Sequence, residues 1–308
     1  MPANEVVILL LGVFGILLFA SMITFILVQK NPDKNYSELI DRIKTWWLMI
    51  VAASFCIFLG KTTLIIFFAV VSFLALKEYL SLVSMHQTDR LLILLLYLAV
   101  PLQYYWVGIK SYDLFLSFIP VFMFLIIPFR LVTLDKTQGF LKTVASLHWG
   151  LMITVFSLSH IACLLVLPES VNPAGSIALM LYLVVLTQFN DVTQYLWGNL
   201  LGSHRLLPEI SPNKTRAGLL GGMTTITLLS ILLGPWLTPM NLIQSTVAGL
   251  IFSLGGFLGD VTLSAVKRDM GIKNTGSLLP GHGGILDRVD SLTFSAPLFF
   301  HYIYYLYY

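Results

Sequence analysis

Residues 242–290 read LIQSTVAGLIFSLGGFLGDVTLSAVKRDMGIKNTGSLLPGHGGILDRVD, an apolar run that passes directly into the most strongly charged stretch of the chain. The first half is long and apolar enough to cross a bilayer, since about 20 such residues span the hydrocarbon core. The second half, from Asp260 to Asp290, gathers carboxylates, basic residues and a glycine-rich turn. A membrane chain that concentrates its few charges in this way is predicted to handle a charged substrate there.

The composition of the whole chain agrees with a membrane protein. Of its 308 residues 57% are hydrophobic and 11% are charged, whereas soluble domains carry about 25% charged residues. We therefore predict an all-α polytopic integral membrane protein. Cys56 and Cys163 both lie in apolar runs, so they are read as small core residues and indicate neither a disulfide nor a metal site.

Apolar runs predict about ten transmembrane helices. The first is a retained helix and not a signal peptide, because its apolar run is too long and lacks a basic start. The segment NPDKNYSELIDRIKTWW, residues 31–47, predicts a short amphipathic helix at the membrane interface. The ten predicted spans are 5–28, 46–60, 63–84, 91–109, 112–128, 143–167, 175–190, 217–238, 242–262 and 291–307.

The basic residues indicate the orientation of these spans. With the N-terminus outside, 16 of the 18 Lys and Arg residues fall in or beside loops on one side, and only Lys61 and Lys110 fall on the other. Cytoplasmic loops carry such an excess. The longest polar insertions, 190–216 and 264–290, lie on the basic side, which predicts a polar site that faces the cytoplasm.

The helix end at 260–268 carries a first set of candidate site residues. At about 100° per residue, Asp260, Ser264, Lys267 and Arg268 share one helical face. A carboxylate can hold a divalent cation while a basic pair binds the phosphate oxygens. The alternative for Lys267 and Arg268 is an anchor at the cytoplasmic surface, but an acid beside a hydrophobic span is usually functional.

The turn PGHGG at 280–284 is the second candidate feature. Gly281 and Gly283 permit backbone conformations whose N–H groups can reach an anion, and His282 could donate to a phosphate oxygen. A simple loop turn is the alternative.

After this turn, Asp287 and Asp290 flank Arg288 with i, i+3 spacing at the predicted start of the last helix. Two carboxylates on one helical face favour a divalent cation. A helix-start salt bridge is the alternative.

A second polar block lies at 190–215. Asn190 and Asp191 end a predicted span, while Ser211 and Lys214 offer a hydroxyl and an ammonium near a helix start, where phosphates bind readily. Ordinary capping of the next helix explains the Ser and Thr of this block nearly as well. Glu78 is interpreted only as a contact to a neighbouring helix.

Residues 264–290, SAVKRDMGIKNTGSLLPGHGGILDRVD, resemble the signature of the phosphatidate cytidylyltransferase (CDP-diglyceride synthetase) family. That signature runs Ser-x-x-Lys-Arg, four residues, Lys-Asp, a spacer and Pro-Gly-His-Gly-Gly-x-x-Asp-Arg-x-Asp. Residues 190–215 resemble its Asn-Asp … Ser-Pro-x-Lys-Thr segment and residues 75–79 its Glu-Tyr element. The resemblance begins near residue 38 and is stronger to a bacterial subgroup of uncharacterised cytidylyltransferases than to the principal housekeeping enzyme.

The resemblance implies a Mg2+-dependent reaction of CTP with phosphatidate that gives CDP-diacylglycerol and pyrophosphate in phospholipid biosynthesis. It assigns the metal to Asp260 and Asp287, and the expected catalytic set adds Asp290, Lys267 and Arg268. The expected substrate-binding residues are Asn190, Asp191, Ser211, Lys214, Ser264, Gly281, His282, Gly283 and Arg288.

The expected partners are CTP, phosphatidate and membrane phospholipids, without nucleic acid. A homodimer and a second, monovalent cation are left open. We expect one multi-pass domain over 1–308 in the inner (cytoplasmic) cell membrane, with helices 1–6 in 1–170 and the catalytic helices 7–10 in 171–308.

Three positions depart from the family pattern. Asn274 replaces an Asp, Leu263 replaces a Glu, and Ala217 replaces a Glu. These changes put contacts around the metal ligands, and therefore the rate, in doubt. Two alternatives stay open: a cytidylyltransferase or kinase that acts on another lipid phosphate or alcohol, and a catalytically weakened lipid-binding or transport relative.

Overall fold

The computed structural model of the protein describes residues 3–31, 35–83, 89–135, 137–276, 278–281 and 283–308. Within these residues the chain is almost entirely helical. The N-terminal half contains α1 (Asn4–Lys30), α2 (Ser37–Leu59), α3 (Lys61–Leu82), α4 (Arg90–Gly108), α5 (Tyr112–Ser117), α6 (Phe124–Val132), α7 (Phe140–Leu151) and α8 (Ser157–Val166). A π-helical turn, Phe118–Met123, joins α5 to α6, and another, Met152–Phe156, joins α7 to α8.

The C-terminal half adds the helices that surround the polar residues. They are α9 (Ser176–Leu201), α10 (Arg216–Leu237), α11 (Leu242–Asp269), α12 (Leu286–Val289) and α13 (Leu292–Tyr307), with strands β1 (Arg205–Leu207) and β2 (Ser211–Thr215) between α9 and α10. The two strands pair antiparallel, with Arg205 opposite Thr215 and Leu207 opposite Ser211.

The helices confirm the prediction of an all-α polytopic membrane protein. Nine helices among the described residues are long and apolar enough to cross a membrane when each helix pair joined by a π-helical turn counts as one. The predicted tenth span corresponds to α13, whose 16 residues are fewer than a perpendicular span needs.

The predicted interfacial helix is not a separate element. Residues from Ser37 onward form the first turns of α2, which continues to Leu59 without a break. This stretch contains neither glycine nor proline, so nothing in its sequence ends the helix before Gly60, which has φ +109°.

Helix α9 also runs further than its apolar pattern predicts. The predicted span stops at residue 190, whereas α9 continues to Leu201. Asn190 and Asp191 therefore lie inside a helix and not at its end. Their polar side chains are tolerated there because other parts of the chain supply hydrogen-bond partners, Ser253 of α11 for Asn190 and Ser291 for Asp191.

Small residues let the C-terminal helices approach closely. A Cβ atom added at Gly218 would lie 2.7 Å from the carbonyl oxygen of Gln194, and one at Gly249 would lie 2.7 Å from the Cα of Thr227. These contacts set the distance between α9 and α10 and between α10 and α11. The rings of Tyr182, Phe252 and Phe299 pack together in the bundle core.

We expect Gly259→Ala to destabilise the protein. The new Cβ would lie 2.4 Å from the backbone oxygen of Asp290, and backbone cannot move aside as a flexible side chain can. Overpacking costs about 1–3 kcal/mol, which exceeds the gain of about 1 kcal/mol from replacing glycine by alanine in a helix. Thermal unfolding in detergent should show a lower midpoint.

Gly12→Ala is the matched control for this prediction, because nothing lies within 4 Å of its added Cβ on α1. It should leave the midpoint unchanged or raise it. Equal midpoints for Gly259→Ala and Gly12→Ala would show that α11 is not closely packed against the start of α13.

Candidate active site

Asp287, near the start of α12, is the most heavily hydrogen-bonded carboxylate of the predicted set. Its Oδ1 accepts from the Lys267 ammonium at 2.8 Å. Its Oδ2 accepts from the Thr275 N–H at 2.8 Å, the Thr275 hydroxyl at 3.0 Å and the Gly284 N–H at 3.0 Å. Asp287 is buried, with 6% of its surface exposed, so α11 and the following loop together hold this carboxylate in one orientation.

This environment keeps Asp287 ionised. Burial acts to raise the pKa of its carboxyl, but the Lys267 ammonium and the N–H groups of Gly284 and Thr275 outweigh burial and lower the pKa below its usual value. The interactions of the ionised Asp287 carboxylate stabilise the folded protein fully at neutral pH. This stabilisation is lost as the pH falls through the lowered pKa.

Asp260 on α11 forms a second ion pair, separate from the first. Its Oδ2 lies 2.6 Å from the Lys214 ammonium of β2, and its Oδ1 accepts from the Ser264 hydroxyl at 3.3 Å. Burial acts to lower the pKa of Lys214, but the charges of Asp260 and Asp191 raise it above its usual value. Each predicted metal ligand is thus paired with its own lysine.

Asp191 and Asp290 extend the acidic group around Asp260. The Ser291 hydroxyl donates to both oxygens of Asp191, at 3.0 and 2.8 Å, and the Ser291 N–H donates to Asp290 at 2.8 Å. Burial raises the pKa of Asp290 well above its usual range, and the negative charges of Asp260 and Asp191 raise it further. The carboxylates repel one another, which is an arrangement that favours a bound cation.

Amide side chains on α9 connect this acidic group to the bundle. Asn190 donates to the backbone oxygen of Ser253 at 3.3 Å and accepts from Gln194 at 3.1 Å. Gln194 in turn accepts from the Lys214 ammonium at 3.0 Å. Asn190 therefore helps to orient Lys214 through Gln194, a residue that the sequence reasoning did not select.

The glycine-rich turn adopts the conformation that its residues allow. Gly281 has φ +71° and Gly283 has φ +86°, and Leu279 and Gly283 exchange backbone hydrogen bonds. From α2, Arg42 Nε donates to the Gly281 oxygen at 3.1 Å and Thr45 to the Pro280 oxygen at 2.8 Å. The prediction for His282 lies outside the described residues.

The remaining basic residues are placed differently from one another. Arg268 is exposed and donates to the backbone oxygens of Ile210 and Ile272, so it does not contact the carboxylates. Arg288 carries a buried Nε that has no hydrogen-bond partner among the described residues.

Ser211 begins β2, and Thr215, not Ser211, caps α10 by accepting from the Gly218 N–H at 3.0 Å.

The three departures from the family pattern lie around the site. Leu263 is buried with 2% exposure, and Ala217 lies in the first turn of α10. Asn274 is exposed beside Gly283, since a Cβ added at Gly283 would lie 3.3 Å from the Asn274 Cβ and 2.7 Å from Asp287 Oδ2. An acid at position 274 would therefore stand next to Asp287.

Sequence reasoning gave too little weight to three polar residues of this site. Thr275 and Ser291 bond the carboxylates directly, and no spacing in the sequence distinguishes them from ordinary turn residues. Glu78 on α3 bonds the backbone of α12. It could have been selected by the argument applied to Asp260, because it too is an acid at the end of an apolar span.

Carboxylates are the side chains of this site that could hold Mg2+. Among the described residues, no group of three or more His, Cys, Asp or Glu side chains is arranged to hold a metal ion. Protein sites for Mg2+ commonly supply one or two carboxylates, while water and substrate phosphates provide the other ligands. Asp260 and Asp287 are carboxylates of this kind, and each is paired with its own lysine.

Comparison with known proteins identifies similar chains. The model of the cytidylyltransferase family matches residues 40–306. The uncharacterized protein YnbB of Escherichia coli is 45% identical over 292 residues, which cover 95% of this chain and 96% of that protein.

Phosphatidate cytidylyltransferases of two staphylococci match a shorter part of the chain. The protein of Staphylococcus haemolyticus is 40% identical over 120 residues, and that of Staphylococcus aureus is 43% identical over 123 residues. Each match covers 39% of this chain and 46% of the relative, so the similarity extends over less than half of those enzymes.

Proposed function

This chain belongs to the cytidylyltransferase family, and from that premise we propose that it transfers the cytidylyl group of CTP to phosphatidate within the membrane. The observation that carries the proposal is the pair of lysine-bound carboxylates, Asp260–Lys214 and Asp287–Lys267, held by separate elements at one end of the helix bundle. Carboxylates can bind a divalent cation and ammonium groups can bind phosphate oxygens. The two pairs therefore suit a substrate that has several phosphates and binds together with a divalent cation.

The proposed reaction is a substitution at the α-phosphorus of CTP. A phosphate oxygen of phosphatidate forms a bond to that phosphorus, the bond to the bridging oxygen breaks, and pyrophosphate leaves with the electron pair. CDP-diacylglycerol is the lipid product. Because a phosphate monoester is already ionised at neutral pH, no side chain has to act as a strong base.

The chain's own residues bind and orient the phosphates. Lys214 and Lys267 bring ammonium groups to the two carboxylates, so each can exchange its carboxylate partner for a phosphate oxygen. The buried Nε of Arg288, which has no partner among the described residues, is a further donor to an anion. Asp191 and Asp290 lie near Lys214 and interact electrostatically with its ammonium.

Mg2+ held by Asp260 and Asp287 would supply positive charge to the phosphate oxygens and to the pyrophosphate leaving group. The site opens at the cytoplasmic face of the inner membrane. This location is supported by the 16 basic residues predicted on that side and by the cytoplasmic supply of nucleotide. Placement at the bilayer surface lets the lipid keep its acyl chains in the membrane during the reaction.

Purified protein in detergent should convert labelled CTP and phosphatidate to a lipid-soluble cytidine product. The rate should vanish when EDTA removes Mg2+ and return when Mg2+ is restored, because the carboxylates alone add negative charge to a polyanionic substrate. Extraction of the label into organic solvent, followed by mass spectrometry of the lipid, measures the product.

A panel of acceptors separates the alternatives. Product from a polyprenol phosphate but not from phosphatidate would assign a different lipid phosphate, and phosphorylation of a lipid alcohol would assign a kinase. No cytidine-labelled or phosphorylated lipid with any acceptor would contradict the proposed function and leave a binding or transport role.

A further inference from the structure

The loop that carries Asp287 is held from the N-terminal half of the chain by Glu78 of α3. Glu78 Oε1 accepts the N–H of Ile285 at 2.9 Å, and its Oε2 accepts the N–H of Leu286 at 2.9 Å. These N–H groups lie at the start of α12, where a helix leaves its first donors without partners of its own. One carboxylate, 207 residues away in sequence, thus satisfies two adjacent backbone donors.

Thr275 connects Glu78 to Asp287. Its hydroxyl lies 3.3 Å from Glu78 Oε2 and 3.0 Å from Asp287 Oδ2, and its N–H donates to the same Asp287 oxygen. The packing here has no spare space, because a Cβ added at Gly284 would lie 2.3 Å from both Glu78 Oε2 and the Thr275 hydroxyl. Glu78 and Asp287 therefore both contact the Thr275 hydroxyl and the backbone of the same loop.

Helix α12 cannot maintain this arrangement alone. It has four residues, far fewer than the 12–15 or so that give a helix marginal stability by itself. Its conformation therefore depends on outside partners, and Glu78 provides acceptors for both of its leading N–H groups. Because Asp287 directly follows Leu286 in α12, we expect a displacement of those N–H groups to move the Asp287 carboxylate relative to its other partners.

We propose that Glu78 is a positioning residue that orients Asp287 and thereby sets the affinity of the site for Mg2+. The inference rests on the proposed function for its metal, but its structural step does not need substrate. The charge of Glu78 itself is satisfied by the Thr275 hydroxyl and by two backbone N–H groups. The N-terminal helices accordingly contribute to a site whose predicted ligands all lie in the C-terminal half.

Glu78→Gln tests this role with little change in shape. A glutamine offers one acceptor oxygen, and its NH2 group faces the second N–H donor, so one of the two bonds is lost. In the Mg2+-free protein, hydrogen exchange of peptides covering 283–289 should become at least about tenfold faster. The Mg2+ concentration for the half-maximal thermal shift, and for half-maximal transfer, should rise about 10–100-fold.

The KM for CTP should stay within about twofold of the wild-type value, because Glu78 is predicted to act on the metal ligand and not on the nucleotide. Glu169→Gln is the matched control, since Glu169 is an exposed acid whose partner is Lys61. It should change neither exchange at 283–289 nor the Mg2+ dependence.

Thr275→Val and Thr275→Ser provide a second test that leaves Glu78 in place. The valine variant removes the shared hydroxyl and should weaken the Mg2+ response, whereas the serine variant should restore it. Unchanged exchange and Mg2+ response in both Glu78→Gln and Thr275→Val would overturn the proposal. So would faster exchange spread evenly over all helices, which would make Glu78 a general stability residue.

The exchange and thermal-shift measurements use no CTP or lipid. If the wild-type protein forms no cytidine lipid, the proposed function fails, while the positioning role of Glu78 is still decided by these two measurements.

Discussion

Replacing Asp287 by asparagine is expected to lower cytidylyl transfer by at least about 100-fold, a loss comparable to removing a key electrostatic group or a partner of a metal ligand. The wild-type carboxylate accepts from the Lys267 ammonium, from two backbone N–H groups and from the Thr275 hydroxyl. An asparagine NH2 group must face one of these donors. The loop then shifts, and the negative charge needed for Mg2+ is gone.

The assay is the lipid-extraction measurement on purified wild-type and Asp287→Asn protein at saturating Mg2+. Asp269→Asn is the matched control, because Asp269 is an exposed acid at the end of the same helix that carries Lys267. Its activity should stay within about twofold of wild type, as surface changes away from special contacts have small effects. Activity in Asp287→Asn equal to that in Asp269→Asn would remove Asp287 from the site.

A double variant separates catalysis from folding. Asp287→Asn leaves the Lys267 ammonium buried without its counter-ion, which is destabilising. Adding Lys267→Met removes that uncompensated charge, so the thermal midpoint should recover at least in part. Transfer should not recover with it. Recovery of activity in the double variant would show that Asp287 acts only through the fold.

Lys214→Met is expected to lower the free energy of unfolding by about 3 kcal/mol, since removing one partner of a buried ion pair leaves an unpaired charge. Lys214 lies 2.6 Å from Asp260, and only 16% of its side chain is exposed. Its ammonium also acts on Asp191 and Asp290. Without it the carboxylates repel one another in a poorly solvated place. Thermal and denaturant unfolding in detergent measure the loss.

Mg2+ should stabilise the Lys214→Met variant more than the wild type, because the cation replaces the missing positive charge beside Asp260. The control is Lys61→Met, which removes the partner of Glu169 at a more exposed pair, 36% and 59% accessible. Such pairs contribute about 0–1 kcal/mol. Equal losses in Lys214→Met and Lys61→Met, or equal Mg2+ responses, would contradict a cation role for Lys214.

Several features of the fold could be predicted from local patterns. Apolar runs longer than a bilayer is thick identify the spans, as in α1 and α11, because a membrane leaves few alternatives to a helix. Prediction from apolar runs fails where a helix continues through a polar stretch. The polar start of α2 contains no glycine or proline, and the polar end of α9 continues through its one glycine, Gly198, so both helices run through their polar stretches. The hairpin of β1 and β2 has no clear signal in the sequence.

Some residues of the site could be predicted from the chemistry of their side chains and their positions in the sequence. An acid beside an apolar span is costly, which selects Asp260 without coordinates, and the i, i+3 spacing with Asp290 selects Asp287. The two carboxylates were expected to share one cation. The structure pairs each with a different lysine, and it brings Asp191 and Asp290 into the charge balance around Asp260.

The class of protein and the residue types of its site follow from local sequence, because hydrophobic length and the cost of buried charge act locally along a chain. Which of these groups contact one another depends instead on the three-dimensional packing. Lys214 reaches Asp260 through a hairpin, and Glu78 reaches the loop of Asp287 across 207 residues. Such contacts depend on how helices with small residues pack together, and packing is a property of pairs of segments that no single stretch of sequence contains.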